Sequence, residues 1–153
     1  MPLTTSSITP CLWFDDRLEE AAAFYTALFP RSSVGTMTRY GDAGPGEPGS
    51  VMAGEFTLEG LTFRAINGGP MFSFTEAVSF AISCADQAEV DHYWDGLLAG
   101  GGEESMCGWL KDRFGLSWQV VPVRLYELLS DPDPVRASAA QTAMLRMRRI
   151  VVA

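Results

Sequence analysis

Apolar residues in this chain come in short runs broken by turn-forming clusters. Residues 8–14 are mostly apolar between Ser6-Ser7 and Asp15-Asp16, which predicts a buried strand. Residues 17–28 predict a helix, ended at Phe29-Pro30 because the residue before a proline is pushed out of helical geometry. Residues 34–40 predict a second strand. GDAGPGEPG at 41–49 is a loop by its glycine and proline content. It is long for a connection inside a compact domain, and loops of that length often carry function. Residues 50–58 and 61–67 predict two strands joined by Glu59-Gly60, a hairpin signal. Asn67-Gly68-Gly69-Pro70 then closes a first part that runs strand, helix, strand, strand, strand.

The same order follows again. Residues 77–84 predict a strand of alternating character, and residues 87–99 a helix stopped by Gly100-Gly101-Gly102. Short strands are expected at 105–107 and 109–111, a turn at 112–115, and a last strand at 116–121 ended by Pro122. Tyr93, Trp94 and Leu97 repeat the spacing of Phe24, Tyr25 and Leu28. Each helix also follows a capping-box-like pair, Asp16 with Glu19 and Asp86 with Glu89. The expected fold is therefore α+β, a single domain over 1–153 built from two tandem βαβββ modules at 8–70 and 76–122. A helical tail at 123–153 has Asp133 as cap and Pro134 at the first helical position, and runs helical to Leu145. Arg146, Arg148 and Arg149 suit the negative end of that helix.

Composition narrows the function. The chain has 153 residues, 47% hydrophobic and 20% charged, which is the profile of an ordinary globular protein. A net charge of −8 argues against nucleic acid, whose phosphates need a basic footprint, and against anionic membrane surfaces. MPLTTSS at the start has neither a basic nor an apolar region, so no signal peptide is expected, and no apolar run is long enough for a bilayer span. Three scattered cysteines, Cys11, Cys84 and Cys107, form no C-x-x-C pair and suit reduced thiols in the cytoplasm, the expected location.

Several stretches carry a resemblance. ITPCLWFDD at 8–16, FYTALFP at 24–30, GSVMAGEF at 49–56, AINGGP at 65–70, DQAEVDHYW at 86–94 and CGWLKDRFGLSWQVVP at 107–122 resemble the PhnB-like group of the vicinal oxygen chelate superfamily. That superfamily includes glyoxalases, bleomycin- and fosfomycin-resistance proteins and extradiol dioxygenases. The resemblance implies the glyoxalase/bleomycin resistance fold, in which the eight strands form a curved, cup-like sheet with helices outside, and a homodimer. The PhnB-like group often carries the label demethylubiquinone methyltransferase. A methyltransferase of the common kind needs a glycine-rich loop between a strand and a helix. Here the glycine run follows a helix, where it suits a C-cap.

Metalloenzymes of the superfamily hold a divalent ion with two His and a Glu, on the first strand of each module and the last strand of the second. Strand alternation places Thr9, Cys11 and Trp13 on the cavity face of the first strand, with Ile8, Pro10, Leu12 and Phe14 toward the helix. The first His position then falls on Thr9. In the second module it falls on Ser79, or on Phe80 when counted back from Asp86. Gln119 stands where the Glu belongs. Thr, Ser and Gln supply no charge and only hydroxyl and carbonyl oxygens, a poor set for a divalent ion. No metal and no cofactor are expected. The only histidine, His92, is on the second helix, beside Tyr93 and Trp94.

What remains is an apolar cup with a few hydrogen-bonding groups, the usual make-up of a small-molecule site. Thr9, Cys11, Trp13, Asn67, Ser79 and Gln119 are the expected ligand-binding residues, with Asn67 and residues 71–74 at the mouth. The expected partner is a small organic molecule, held for sequestration, resistance or sensing. The alternatives are an enzyme of the same superfamily, using an atypical metal set, Gln119 or Cys107 with Lys111 and Arg113 nearby, and the methyltransferase of the group's label. A closed core filled by Trp13 and Cys11 is the purely structural alternative.

Overall fold

The structure, a computed structural model, describes residues 7–152. The chain divides into two compact units, Met1–Ser73 and Phe74–Ala153. In the first, the elements are β1 (Cys11–Phe14), α1 (Leu18–Leu28), β2 (Ser32–Arg39), β3 (Val51–Leu58) and β4 (Leu61–Asn67). They form a four-stranded sheet of order β1-β4-β3-β2. The β1–β4 pair is parallel and the others are antiparallel. One face carries Leu12, Phe14, Phe56, Leu58, Phe63 and Ala65, which pack with Leu18, Ala21, Ala22 and Tyr25 of α1 into the buried core. Phe56 and Phe63 are cross-strand partners and stack with ring centroids 5.2 Å apart.

The expected first strand is shortened. The ladder begins at Cys11, and Ile8 is 82% exposed rather than packed toward the helix. Pro10 has no N–H to donate, so the strand starts after it. The Glu59-Gly60 turn has both residues in the left-handed region, φ 49° and 84°, as a tight hairpin requires. The capping pair expected at α1 does not form. Asp16 adopts φ 61°, and the residue at the helix entry, Arg17, makes no side-chain cap bond. The amide of Leu18 instead donates to Oδ1 of Asn67, 3.0 Å away.

In the second unit the elements are β5 (Ser79–Cys84), α2 (Gln87–Leu98), β6 (Glu103–Glu104), β7 (Trp109–Lys111), β8 (Ser117–Pro122), α3 (Val123–Leu129) and α4 (Pro134–Leu145). The sheet order β5-β8-β7-β6 and its one parallel pair, β5–β8, repeat the first sheet. The tandem duplication thus holds at the level of topology. Here the capping box does form: Asp86 accepts from the Glu89 amide at 2.9 Å, and Glu89 reaches back to the Ala85 amide at 2.8 Å.

Three expectations for this unit change. The strand expected at 105–107 lies earlier, at Glu103–Glu104, because Cys107 and Gly108 take φ 61° and 85° and make the turn into β7. α3 follows β8 directly and was not expected. Two of the three tail arginines do not serve α4: Arg149 pairs with Asp91 and Asp95 of α2, and Arg148 with Glu104, while Arg146 stands at the C-cap of α4. α4 itself runs Pro134–Leu145, with Asp133 accepting from the Val135 amide at 2.9 Å. Gln87 fastens the tail by donating to the Ile150 carbonyl at 3.1 Å and accepting from the Val152 amide at 2.8 Å. Among the described residues, no helix is long and apolar enough to cross a membrane.

Candidate functional site

Each sheet buries one face under its helices and leaves the other open. On the second sheet, period-two alternation assigns Phe80, Ile82 and Cys84 of β5, Leu110 of β7 and Trp118 and Val120 of β8 to the helix side. The ring of Phe80 lies 5.7 Å from that of Trp118. The open side carries Ser79 and Ala81, Ser117 and Gln119, and Trp109 and Lys111. Nε2 of Gln119 donates to Oγ of Ser79 at 2.9 Å. Ser79, rather than Phe80, therefore shares a face with Gln119. Lys111 forms an ion pair with Glu76. That contact holds the Glu76 carboxyl below its ordinary value and raises the Lys111 ammonium.

On the first sheet, Cys11 and Trp13 of β1 occupy the open side, as expected, with Arg64 and Ile66 of β4 and Glu55 of β3. A cavity of about 430 Å³ lies there, lined by Cys11, Thr36, Thr38, Glu55, Arg64 and Ile66 among others. Arg64 pairs loosely with Glu55 at 3.6 Å. Trp13 donates its Nε1 proton to the Gly69 carbonyl at 2.8 Å and meets Phe72 edge-on at 4.9 Å. A Cβ on Gly68 would enter the Trp13 ring, so this position needs glycine for close approach. Thr9 is half-buried, ahead of the ladder.

Asn67 is differently placed. Alternation along β4 puts it with Phe63 and Ala65 on the helix side, and its amide is engaged there, accepting from Leu18 and donating to the Val51 carbonyl at 3.1 Å. It also borders a second cavity of about 460 Å³, walled by Asp16, Tyr40, Glu47 and the 45–47 loop. That loop is organised around Tyr40, whose ring fills the space a side chain on Gly44 or Gly46 would need.

Sequence reasoning missed Arg64, Glu55, Trp109 and Ser117, and named Lys111 only as a neighbour of Cys107. Alternation along β3, β4 and β7 marks Glu55, Arg64, Trp109 and Lys111, and alternation along β8 puts Ser117 on the face of Gln119.

The ligand positions do not suit a divalent ion. Gln119 and Ser79 are neutral and satisfy each other, and dehydration of the ion would have no charge to offset it. Among the described residues no three His, Cys, Asp or Glu side chains gather into a metal-binding group. His92 is exposed on α2 against the Tyr93 ring. A methyl-donor cofactor fares no better at the glycine run. Gly100 and Gly101 take φ 84° and 124°, and the Gly102 amide closes α2 onto the Leu98 carbonyl at 2.9 Å. These glycines terminate a helix and form no loop leading from a strand into one.

The family model described as 3-demethylubiquinone-9 3-methyltransferase matches residues 6–121. Among solved structures, the chain is similar to a putative 3-demethylubiquinone-9 3-methyltransferase, PhnB protein, from Bacillus cereus. The identity is 35%, the match covers 77% of this chain and 100% of that one, and the TM-score is 0.71. Protein PA1353 from Pseudomonas aeruginosa is 21% identical over 77% of this chain and 98% of its own, with a TM-score of 0.63. The fosfomycin resistance protein FosX from Listeria monocytogenes, in complex with Mn(II) and sulfate, is 16% identical over 82% of this chain and 97% of its own, with a TM-score of 0.55. These last two likenesses show the shared fold alone. No curated protein matches. With the duplicated βαβββ topology, the family match over most of the chain decides the matter: this chain belongs to the PhnB-like family of the vicinal oxygen chelate superfamily, whose model bears the 3-demethylubiquinone-9 3-methyltransferase description.

Proposed function

We propose that this protein binds a small organic molecule on the open faces of its sheets, without a metal ion, to sequester it, resist it or sense it. The Ser79–Gln119 hydrogen bond carries this reading. A neutral amide and hydroxyl, with the Trp109 ring on the same face, form a surface for hydrogen bonding and apolar contact. Cys11, Trp13, Arg64 and Ile66 offer the same mixture on the first sheet. The superfamily's metal chemistry has no support from this donor set, and the glycine run gives none to methyl transfer.

A thermal-shift screen of organic compounds tests it, with elemental analysis of the pure protein. A true ligand at 100 times its Kd stabilises by about 2.7 kcal/mol, and raises Tm by about 5 °C or more in a chain of this size. Gln119→Ala or Trp109→Ala should remove that shift. About one zinc, nickel or manganese per chain in the wild type, lost on Gln119→Ala, would overturn the reading in favour of a metalloenzyme.

A further inference from the structure

The turn at 105–109 delivers Trp109 to the open face of the second sheet, where it stands opposite Gln119 in the ladder. The bonds of the turn run through Trp109 itself. The Ser105 amide donates to the Trp109 carbonyl at 2.9 Å, and the Trp109 amide to the Met106 carbonyl at 3.1 Å. At its tip the backbone is strained. Cys107 takes φ 61°, a left-handed conformation that is costly for a residue with a side chain, and Gly108 follows at φ 85°. Both amides donate to the C-terminal segment, Cys107 to the Met147 carbonyl at 2.8 Å and Gly108 to the Arg148 carbonyl at 2.7 Å. Gly108 also meets that segment closely. A Cβ there would stand 3.1 Å from Cγ1 of Ile150, which is 1% exposed.

The segment is itself fastened to other elements. Gln87, in the first turn of α2, holds the Ile150 carbonyl and the Val152 amide. Arg149 pairs with Asp91 at 3.3 Å and with Asp95, and its guanidinium lies 6.0 Å from the Trp94 ring. Ile150 packs with Val121 and Leu125, and Met144 and Met147 lie against them. The family model ends at residue 121. The segment therefore lies outside the family match, while the turn it touches lies inside it.

We propose that residues 147–152 are a positioning strap for the ligand face. Bound to α2, they hold the strained pair at 107–108, and the turn in its place sets where Trp109 stands beside Gln119. Gln87 and Arg149 act through Trp109, as positioning residues. A left-handed residue that is not glycine persists only where its surroundings fix it, and two amides without acceptors would favour another conformation. This rests on the open face being the ligand face. Its test uses no ligand, so its outcome is separate from that of the compound screen.

NMR of ¹⁵N-labelled full-length protein, wild type against Gln87→Ala with Arg149→Ala, tests the strap. The Cys107 and Gly108 amides should exchange with deuterium about tenfold faster in the variant, the effect of one weakened hydrogen bond at each. The Trp109 indole N–H should shift and broaden. The Trp118 indole, which donates to Asp112 at 2.9 Å, should keep its position. Arg149→Lys keeps the charge that faces Asp91 and Asp95, and should retain the wild-type Trp109 signal. Gln87→Ala alone removes one half-buried side chain and should give the same changes at smaller amplitude, which serves if the double variant does not fold. Unchanged exchange at Cys107 and Gly108 would mean that the turn stands without the strap. Faster exchange with a stationary Trp109 signal would mean that the turn does not place the ring. Equal shifts at Trp109 and Trp118 would mean a general loosening of the unit. Each of these three results overturns the proposal.

Discussion

The amide of Asn67 joins three elements of the first unit. It stands at the end of β4, caps the first turn of α1 through Leu18, and ties β3 through the Val51 carbonyl. Asn67→Ala leaves one donor and one acceptor without partners and should cost about 2 kcal/mol in urea unfolding. An unchanged midpoint would mean that water replaces the amide. Cys84 carries a pH dependence. Burial, helped by the Glu89 carboxylate, pushes its thiol up to about 12 from an ordinary 9.0. Between those values the unfolded chain releases a proton that the folded chain keeps, so the contribution is whole below pH 9.0 and is lost as pH rises toward 12. Cys84→Ala should flatten the alkaline limb of stability against pH. In the native protein a thiol reagent should modify exposed Cys11 and reach Cys84 only on unfolding. Composition showed three free thiols. Only packing separates the open one from the buried one.

At the scale of elements, the strands divide their residues by alternation, and this was legible from the start for β1. Leu12 and Phe14 are buried while Cys11 is exposed, as expected. The choice between Ser79 and Phe80 stayed open in the sequence because a one-residue shift exchanges the two faces. The parallel register of β5 with β8 closes it. A double variant, Ser79→His with Gln119→Glu, should therefore acquire measurable affinity for Zn²⁺ by calorimetric titration. Phe80→His with Gln119→Glu should not, because the two side chains project to opposite faces. Equal affinity in both variants would contradict the assignment of faces. Two element boundaries were misjudged for local reasons. Pro10 delays β1, and the left-handed Cys107-Gly108 pair takes the place of strand residues before β7.

At the scale of the whole molecule, β1 and β2 end the first sheet and β5 and β6 the second, so unpaired strand edges remain within each unit. A homodimer is the expected state in solution, with the superfamily resemblance as its motive. Light scattering at micromolar concentration should return twice the 16.6 kDa chain mass, and a monomer mass would count against it. The single-domain reading expects one cooperative transition. Scanning calorimetry should show one peak whose calorimetric and van't Hoff enthalpies agree, and two separated peaks would mean that Met1–Ser73 and Phe74–Ala153 melt independently.

By itself, the sequence determined the order of elements through β8, the repeated βαβββ module, the Glu59-Gly60 hairpin, the Asp86 and Asp133 caps, and the faces of β1. All of these depend on neighbours a few residues apart, where propensity, capping and alternation act. Tertiary structure alone decided which group caps α1, where the tail arginines find their carboxylates, and that Ser79, Ser117, Lys111 and Glu103 stand in one row. Each of these joins residues distant along the chain, and each is set by strand register and by the packing of the tail on α2.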